Sequence, residues 1–212
     1  MTSAGIERVP DLLRMEAILG TGPVELSTAR VMGTMITAIY RPNWVEWRRR
    51  GRDDDPALRR MSVLDALLAV PLGVPIDRSA LSARVSRALR QVTKRSVAWA
   101  DDSVTRLVTV PLEPELVVVR AHQWNSGLRR ASAFSTYCRR LVLWTGRTDQ
   151  LSAIAAEADF YGVGLAIPSE FGLALVVAPA PAKDSATTPA SWWLAEELFA
   201  QSNRRHGLPG VK

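Results

Sequence analysis

The chain of 212 residues contains one cysteine, Cys138, and so cannot form an internal disulfide. This scarcity is typical of proteins that work in a reducing compartment. No apolar run reaches the roughly 18 residues that a membrane-spanning helix needs. The N-terminal residues include Glu7, Asp11 and Glu16 where a signal peptide would have an apolar core. We therefore expect a cytoplasmic protein that makes no contact with a membrane.

Several familiar catalytic motifs are also missing. The two histidines, His122 and His206, are far apart and have no partners at metal-ligand spacing, which disfavours a zinc site. Gly162-Val163-Gly164 lacks the third glycine and the following helix of a phosphate-binding loop. No Gly-x-Ser-x-Gly nucleophile elbow occurs. We expect no catalytic residue, no bound metal and no cofactor.

What the chain does contain is positive charge, almost all of it arginine. Lysine and arginine number 27 against 21 acidic residues, a formal net charge of +6, and only three of the cations are lysines. The hydrophobic fraction of 47% is ordinary for a folded protein, so the charge sits on a structured chain rather than a disordered one. Long-range attraction makes nucleic acid, and DNA in particular, the expected partner.

Alternating apolar and amphipathic patterns between residues 112 and 179 predict the core of the fold. Short apolar runs predict strands at 116–119, 141–144, 163–167 and 173–178, and helical patterns cover 125–140 and 151–161. Upstream, β-rich runs at 96–100 and 104–110 flank an Asp-Asp-Ser turn and predict a hairpin. The sequence therefore predicts an α/β fold, with a small mixed sheet of about five to six strands flanked by helices.

The same patterns divide the chain into four parts. Residues 1–78 are expected to form a helical N-terminal region, 79–179 an α/β core, 180–189 a linker, and 190–212 a C-terminal amphipathic helix with its tail. Within the first part, residues 26–40 could form a helix capped by Ser27 or Thr28. Several of these residues are β-branched, so a strand fits equally well.

Helical patterns over 57–70 and 79–94 suggest a helix-turn-helix pair whose second helix would enter a DNA groove. That second pattern has a basic side formed by Arg84, Arg87, Arg90, Lys94 and Arg95. The alternative is an ordinary helix with a solvated basic face.

A cluster of arginine and tryptophan occurs between residues 41 and 60. Trp44 and Trp47 stand beside Arg48, Arg49, Arg50 and Arg52. Nucleic-acid surfaces combine guanidinium groups for phosphates with planar side chains for stacking. The alternative is a solvated loop or helix end that an exposed acidic turn, Asp53-Asp54-Asp55, partly neutralises.

The C-terminal helix has an aromatic face that must be buried somewhere. Its apolar residues are Trp192, Trp193, Leu198 and Phe199. We expect them to pack back on the domain; the alternative is that they bind a protein partner or a second copy of the chain.

One local pattern resembles a known family. The strand ends Val118-Val119-Arg120 and is followed by Ala121-His122-Gln123-Trp124, then by a helix with Gly127-Leu128-Arg129-Arg130-Ala131, Tyr137, an Arg-Arg pair, an apolar strand and Gly162-Val163-Gly164-Leu165. This order resembles bacterial members of the restriction-endonuclease-like PD-(D/E)XK nuclease superfamily over about residues 80–179. The resemblance implies a nuclease-like core.

The departures from that family fall on its catalytic positions. Val118 occupies the place of the family's metal-binding Glu, Arg120 that of its Lys, and Arg130 that of its helix Gln. Valine cannot bind Mg²⁺, and arginine cannot act as a base at neutral pH. The resemblance therefore implies an inactive nuclease centre. The alternative is an active metal-dependent nuclease in which Asp102, Glu113 or Glu115 rebuilds the metal site.

We expect a non-catalytic, regulatory nucleic-acid-binding protein on a degenerate nuclease scaffold. An alternative from another class is a protein-interaction or scaffold subunit that acts through its tryptophan-rich helices. The predicted nucleic-acid-binding residues are Arg48, Arg49, Arg50, Arg52, Arg120, His122, Trp124, Arg129 and Arg130.

Overall fold

The computed structural model describes residues 18–19, 22–53, 55–170, 172–181 and 187–203. Predictions that fall on residues 1–17, 182–186 and 204–212 lie outside the described residues. The described strands are β1 (Glu25–Val31), β2 (Thr34–Pro42), β3 (Ile76–Asp77), β4 (Val97–Trp99), β5 (Ser103–Arg106), β6 (Leu112–Ala121), β7 (Arg139–Trp144), β8 (Gly164–Ser169) and β9 (Gly172–Val177). The α-helices are α1 (Trp44–Asp53), α2 (Met61–Leu68), α3 (Ala83–Leu89), α4 (Trp124–Ser132), α5 (Leu151–Phe160) and α6 (Pro189–Asn203).

The larger sheet has six strands in the order β1-β2-β6-β7-β8-β9. Its centre is parallel, because β6 pairs with β7 and β7 with β8 through the crossover helices α4 and α5. The outer pairs are antiparallel. The predicted α/β class and the small mixed sheet flanked by helices are confirmed. Apolar residues cover both faces, with the main core under the helices and a smaller cluster around Ile39, Leu116 and Leu141 on the other face.

The helical region predicted for residues 1–78 is wrong for residues 25–42, which form the hairpin β1–β2. Buried and exposed side chains alternate along β1, as a strand with one covered face requires. The turn places Met32 at φ 48° and Gly33 at φ 74°, the left-handed conformation that two-residue hairpin turns need. Because β2 pairs with β6, the larger sheet joins residues from both sides of the boundary expected at residue 78.

The smaller sheet, in the order β3-β5-β4, packs with α2 and α3 around a separate apolar cluster that includes Leu67, Leu89 and Val104. The predicted hairpin is confirmed, since Ala98 lies opposite Thr105, but it belongs to this sheet and not to the larger one. Residues 69–82 connect α2 to α3 and include β3 and a 3-10 turn. The pair therefore lacks the three- or four-residue turn of a helix-turn-helix motif.

Helix α6 connects the two apolar clusters. Trp192 is fully buried among the residues of the smaller cluster, while Leu198 and Phe199 lie in the main core. The prediction that this helix packs back on the domain is confirmed. The alternative surface for a protein partner or a second copy fails for Trp192, Leu198 and Phe199, because the chain's own core already covers them. No helix in the described ranges is both long and apolar enough to cross a membrane.

Candidate nucleic-acid interface

The arginine and tryptophan cluster of residues 44–53 folds as helix α1, and its arginines do not share one environment. Arg50 is 1% exposed. Its guanidinium donates to both carboxylate oxygens of Glu196, at 2.7 and 2.8 Å, and to Glu46 at 2.7 Å. Arg50 is therefore an internal charge held by two acids, and its prediction as a phosphate contact is corrected.

The neighbouring arginines are only partly available. Arg49 donates to Glu46 at 2.8 Å and to Asp55 at 3.1 Å. Arg48 is exposed and donates to the backbone carbonyl of Trp44. The side chain of Arg52 lies outside the described residues. Among the arginines of α1 whose side chains are described, Arg48 alone is exposed.

This network also changes the titration of its acids and bases. Burial alone would raise the pKa of the Glu46 carboxyl, but hydrogen bonds and positive charge from Arg49 and Arg50 hold that pKa below its ordinary value. Chiefly through the hydrogen bond to Glu46, the pKa of Arg49 is raised. Asp55, expected in an exposed acidic turn, is 6% exposed and accepts from Thr93 at 2.9 Å. The network therefore ties α1 to the chain that follows it.

The end of β6 that resembles the catalytic strand is flanked by uncharged residues. Val118 lies opposite Thr37 of β2 and Leu141 of β7. The neighbour of β6 on this side of the sheet is therefore β2. The sequence instead placed residues 104–110, the run that precedes β6 in the chain, in this position. Thr37 is the only oxygen-bearing side chain among these three, and no carboxylate faces Val118 from either neighbouring strand.

The three acids proposed to rebuild a metal site are dispersed. Asp102 lies in the turn of the β4–β5 hairpin, in the smaller sheet. Glu113 and Glu115 lie at the start of β6, about 23 and 16 Å from Arg120 at roughly 3.3 Å per residue, and Glu115 pairs with Arg41 at 2.7 Å. Over the ranges that the structure describes, no group of three histidine, cysteine or acidic side chains is arranged to bind a metal. The acids do not converge on the end of β6.

Arg120 and His122 lie at the carboxyl end of β6, and Arg130 of α4 reaches the backbone there. Arg130 donates to the backbone carbonyl of Arg120 at 3.1 Å, and the imidazole Nδ1 of His122 lies 3.1 Å from the carbonyl oxygen of Thr145. Arg120, His122 and Arg129 are exposed. Helix α4 approaches the sheet closely because it has no side chain at Gly127, where a Cβ would lie 2.7 Å from that of Ala121.

Trp124 differs from its predicted role. It is 8% exposed, and its indole nitrogen donates to Glu157 at 2.8 Å. The indole therefore fixes α4 against α5 and presents little surface to a nucleic acid, so the prediction of Trp124 as a nucleic-acid-binding residue is corrected.

A cavity of about 760 Å³ opens at this same edge of the sheet, and we call it the edge cavity. Trp124, Trp144 and Ile154 are its largely buried apolar members. Its exposed polar lining is His122, Gln123, Asn125, Arg147 and Gln150. Apart from His122, none of these polar residues is among the predicted nucleic-acid-binding residues. Their position directly after a predicted strand end, or before the next helix, was the available signal.

A second basic surface, which we call the α3 surface, lies on the smaller sheet and its helices. All six cations between residues 78 and 100 are exposed, and this stretch contains no acid. The guanidinium groups of Arg78 and Arg90 lie over the ring of Trp99, at 5.5 and 5.7 Å from its centroid. The cations are Arg78, Arg84, Arg87, Arg90, Lys94 and Arg95. The basic side of this helix is visible in the sequence, but none of these residues was among the predicted site residues.

The charge of the whole chain is segregated along the sequence. Residues 116–148, which include the end of β6 and α4, contain six arginines and no acid, as residues 78–100 contain six cations and no acid. Setting these twelve aside leaves 15 cations against 21 acids in the rest of the chain. Two local stretches therefore carry the positive charge, while the remainder is net acidic.

The one cysteine is not part of a reactive centre. Cys138 is 3% exposed in the main core, and burial raises the pKa of its thiol to about 12. The thiolate is the nucleophilic form of cysteine, and a raised pKa keeps the thiol protonated. Cys138 is therefore a small core residue.

Comparison of the chain with models of known protein families, with curated proteins and with solved structures finds no match in any of the three.

Proposed function

We propose that this chain is a non-catalytic nucleic-acid-binding protein, with DNA favoured, on a sheet that resembles a degenerate nuclease core. The observation that carries the proposal is the segregation of charge. Two acid-free stretches supply twelve cations, and nine of these are exposed in the folded chain. Arg50, by contrast, is buried between the carboxylates of Glu46 and Glu196. Exposed cations without local acids favour a polyanionic partner.

Two features favour DNA. Helix α3 presents Arg84 and Arg87 on exposed positions, with Arg90 exposed as its C-cap. An α-helix with side chains has a diameter of about 10–12 Å, close to the roughly 12 Å width of the major groove. Arg120 at the carboxyl end of β6, together with Arg129 and Arg130 of α4, would contact phosphates, since guanidinium groups pair well with phosphate oxygens.

The surroundings of β6 support a non-catalytic role. Strand β6, helix α4 and strand β7 follow one another as the nuclease resemblance implies, but the hairpin beside β6 is β1–β2, which α1, α2 and the smaller sheet separate from β6 along the chain. Metal-assisted phosphodiester hydrolysis needs carboxylates to hold the ion that activates water. The residues around the strand end, Val118, Thr37 and Leu141, cannot supply them.

The test is binding to a fluorescently labelled duplex, measured by anisotropy as salt is raised from about 50 to 200 mM. We expect the logarithm of the binding constant to fall linearly with the logarithm of salt, with a slope of about −0.9 per phosphate contact. Plasmid incubated with Mg²⁺ or Mn²⁺ should remain uncleaved. Affinity that does not depend on salt, or an absence of binding to both DNA and RNA, would overturn the proposal.

A further inference from the structure

We propose that the edge cavity binds one unpaired nucleobase, so that the preferred ligand is a nucleic acid with an unpaired nucleotide beside a duplex. This inference rests on the proposed function and names the part of the nucleic acid that the edge cavity recognises. The cavity volume of about 760 Å³ lies in the range of small-molecule sites. It opens at the end of β6, and the part of its lining that runs from His122 to Asn125 belongs to the acid-free stretch of residues 116–148.

The polar groups of the cavity match the edge of a base. Within the described ranges, the side-chain amides of Gln123, Asn125 and Gln150 form no hydrogen bond with another part of the protein. Each amide offers a donor and an acceptor side by side, which is the pattern that Asn and Gln use to pair with base edges. Three such groups at one opening can therefore read a heterocycle.

The cavity also offers a ring that can stack on the base. The imidazole of His122 is exposed, while its Nδ1 lies 3.1 Å from the carbonyl oxygen of Thr145. This contact restricts the ring to one orientation beside the opening. Single-stranded nucleic acids are recognised by stacking of unpaired bases on histidine and other aromatic side chains.

A neutral base fits the interior better than a phosphate does. Glu157 lines the cavity, and one of its carboxylate oxygens accepts from Trp124. Arg147 lies at the opening but is paired with Asp149 at 3.1 Å. A phosphate inside would meet the Glu157 carboxylate, whereas the exocyclic amino group of a base could donate to it. Phosphates would instead contact the arginines outside the cavity.

The experiment compares three labelled probes that share one duplex: a blunt duplex, the same duplex with a three-nucleotide 3′ overhang, and that overhang with abasic residues. Affinity is measured for each by anisotropy at constant salt. We expect the wild-type chain to bind the overhang about tenfold more tightly than either other probe, because stacking and edge pairing act only on a base that is present. Calorimetry with AMP and CMP tests free nucleotides as the source of the base.

The double variant Gln123→Ala/Asn125→Ala removes two of the amides. Neither side chain bonds to the protein, so the variant should fold, with an unchanged thermal midpoint as the check. It should lose the preference for the overhang and keep wild-type affinity for the blunt duplex. The control is Gln91→Ala, an exposed amide outside the edge cavity, which should keep the overhang preference. Because Gln91 accepts from Arg60 at 2.7 Å, the thermal midpoint of this variant is measured as well. Arg129→Ala should weaken binding to all three probes equally.

The outcomes separate this inference from the proposed function. If the wild-type chain binds no probe, the proposed function fails. If it binds all three probes equally, or if the double variant keeps the overhang preference, the base site is overturned while nucleic-acid binding stands. If AMP or CMP binds with an affinity that the double variant loses, and no overhang preference exists, the assignment to a nucleic-acid strand is overturned.

Discussion

Two arginine-rich stretches of this chain resemble each other in sequence and differ in the folded protein. Residues 44–53 contain two tryptophans and four arginines, and residues 78–100 contain Trp99 among six cations. In the first stretch Arg50 is buried among acids, and Arg49 is paired. In the second stretch every cation is exposed. The difference lies in the acids, since Glu46 and Asp53–Asp55 accompany the first stretch and none interrupts the second.

The comparison shows that the neighbourhood of an arginine, rather than its number, decides between an internal and an external role. A buried guanidinium is tolerated when carboxylates compensate its charge and its N–H groups are satisfied. Arg50 meets this condition through Glu46, Glu196 and the carbonyl of Thr109. The cations of the α3 surface have little such compensation, with only one ion pair among the described residues, between Arg84 and Asp65 at 3.5 Å, on exposed side chains.

The largest expected effect is that of Arg50→Ala. Removing this guanidinium leaves the buried Glu196 carboxylate without a cationic partner and Glu46 with Arg49 alone, which costs about 3–5 kcal/mol for a broken buried pair. For a chain of this size we expect the thermal midpoint to fall by about 10 °C. Urea unfolding followed by circular dichroism measures the free energy of unfolding. The matched control, Arg87→Ala on the exposed α3 surface, should stay within about 0.5 kcal/mol of wild type.

Equal stability of these two variants would contradict the distinction drawn between the stretches. A destabilised Arg50→Ala variant that still binds DNA like wild type, at a temperature where it remains folded, would confirm that this arginine acts inside the protein. Loss of DNA binding from the folded Arg50→Ala variant would instead return Arg50 to the interface.

A smaller effect is expected from the α3 surface, and it concerns binding. The double variant Arg87→Ala/Lys94→Ala removes two exposed cations for which the described part of the chain supplies no acidic partner. We expect affinity for duplex DNA to fall about tenfold and the salt slope to become shallower by about 1.8, because each phosphate that a cation neutralises contributes about 0.9 to the slope. Arg48→Ala in α1 is the matched control and should change the slope by less. An unchanged slope in the double variant would remove the α3 surface from the interface.

Much of the larger sheet could be predicted because its strands are short apolar runs between turns. β6 and β7 each contain one of the four predicted runs, β8 and β9 each overlap one of them to within a residue, and α6 was recognisable from its apolar face. The β1–β2 hairpin was not recognisable, because its turn residues, Met32 and Gly33, lack the Asn-Gly or Asp-Gly signal and the run of residues 26–40 also fits a helix despite its β-branched residues. A one-dimensional pattern could not show that the partner of β6 is β2 rather than β5, the strand that precedes β6 in the sequence.

The candidate site was less predictable, because partners that are distant in sequence decide its members. Arg50 is buried by Glu196, which is 146 positions away, and Trp124 is held by Glu157, which is 33 positions away. Neither pairing leaves a local signal. Arg120, His122 and Arg130 could be grouped in advance because they follow one strand end or lie on the next helix, where sequence neighbours remain spatial neighbours.

The smallest expected effect is on the pH dependence of stability, to which the acids of residues 44–53 should contribute and the α3 surface should not. Arg49 and Arg50 hold the pKa of Glu46 below its ordinary value despite its burial, so the folded protein binds a proton there more weakly than the unfolded chain does. The stabilisation from ionised Glu46 is complete above the unfolded pKa, near 4.5, and is lost as the pH falls through the lower folded value. Urea midpoints measured from pH 6 to pH 3 should therefore decline below about pH 4.5. The Arg87→Ala variant should follow the wild-type decline, since its guanidinium lies outside this network, whereas Glu46→Gln, with no carboxyl to titrate there, should decline less steeply. If Glu46→Gln and wild type lose stability in parallel over this range, the ion pairs around α1 do not contribute in the way that their burial implies.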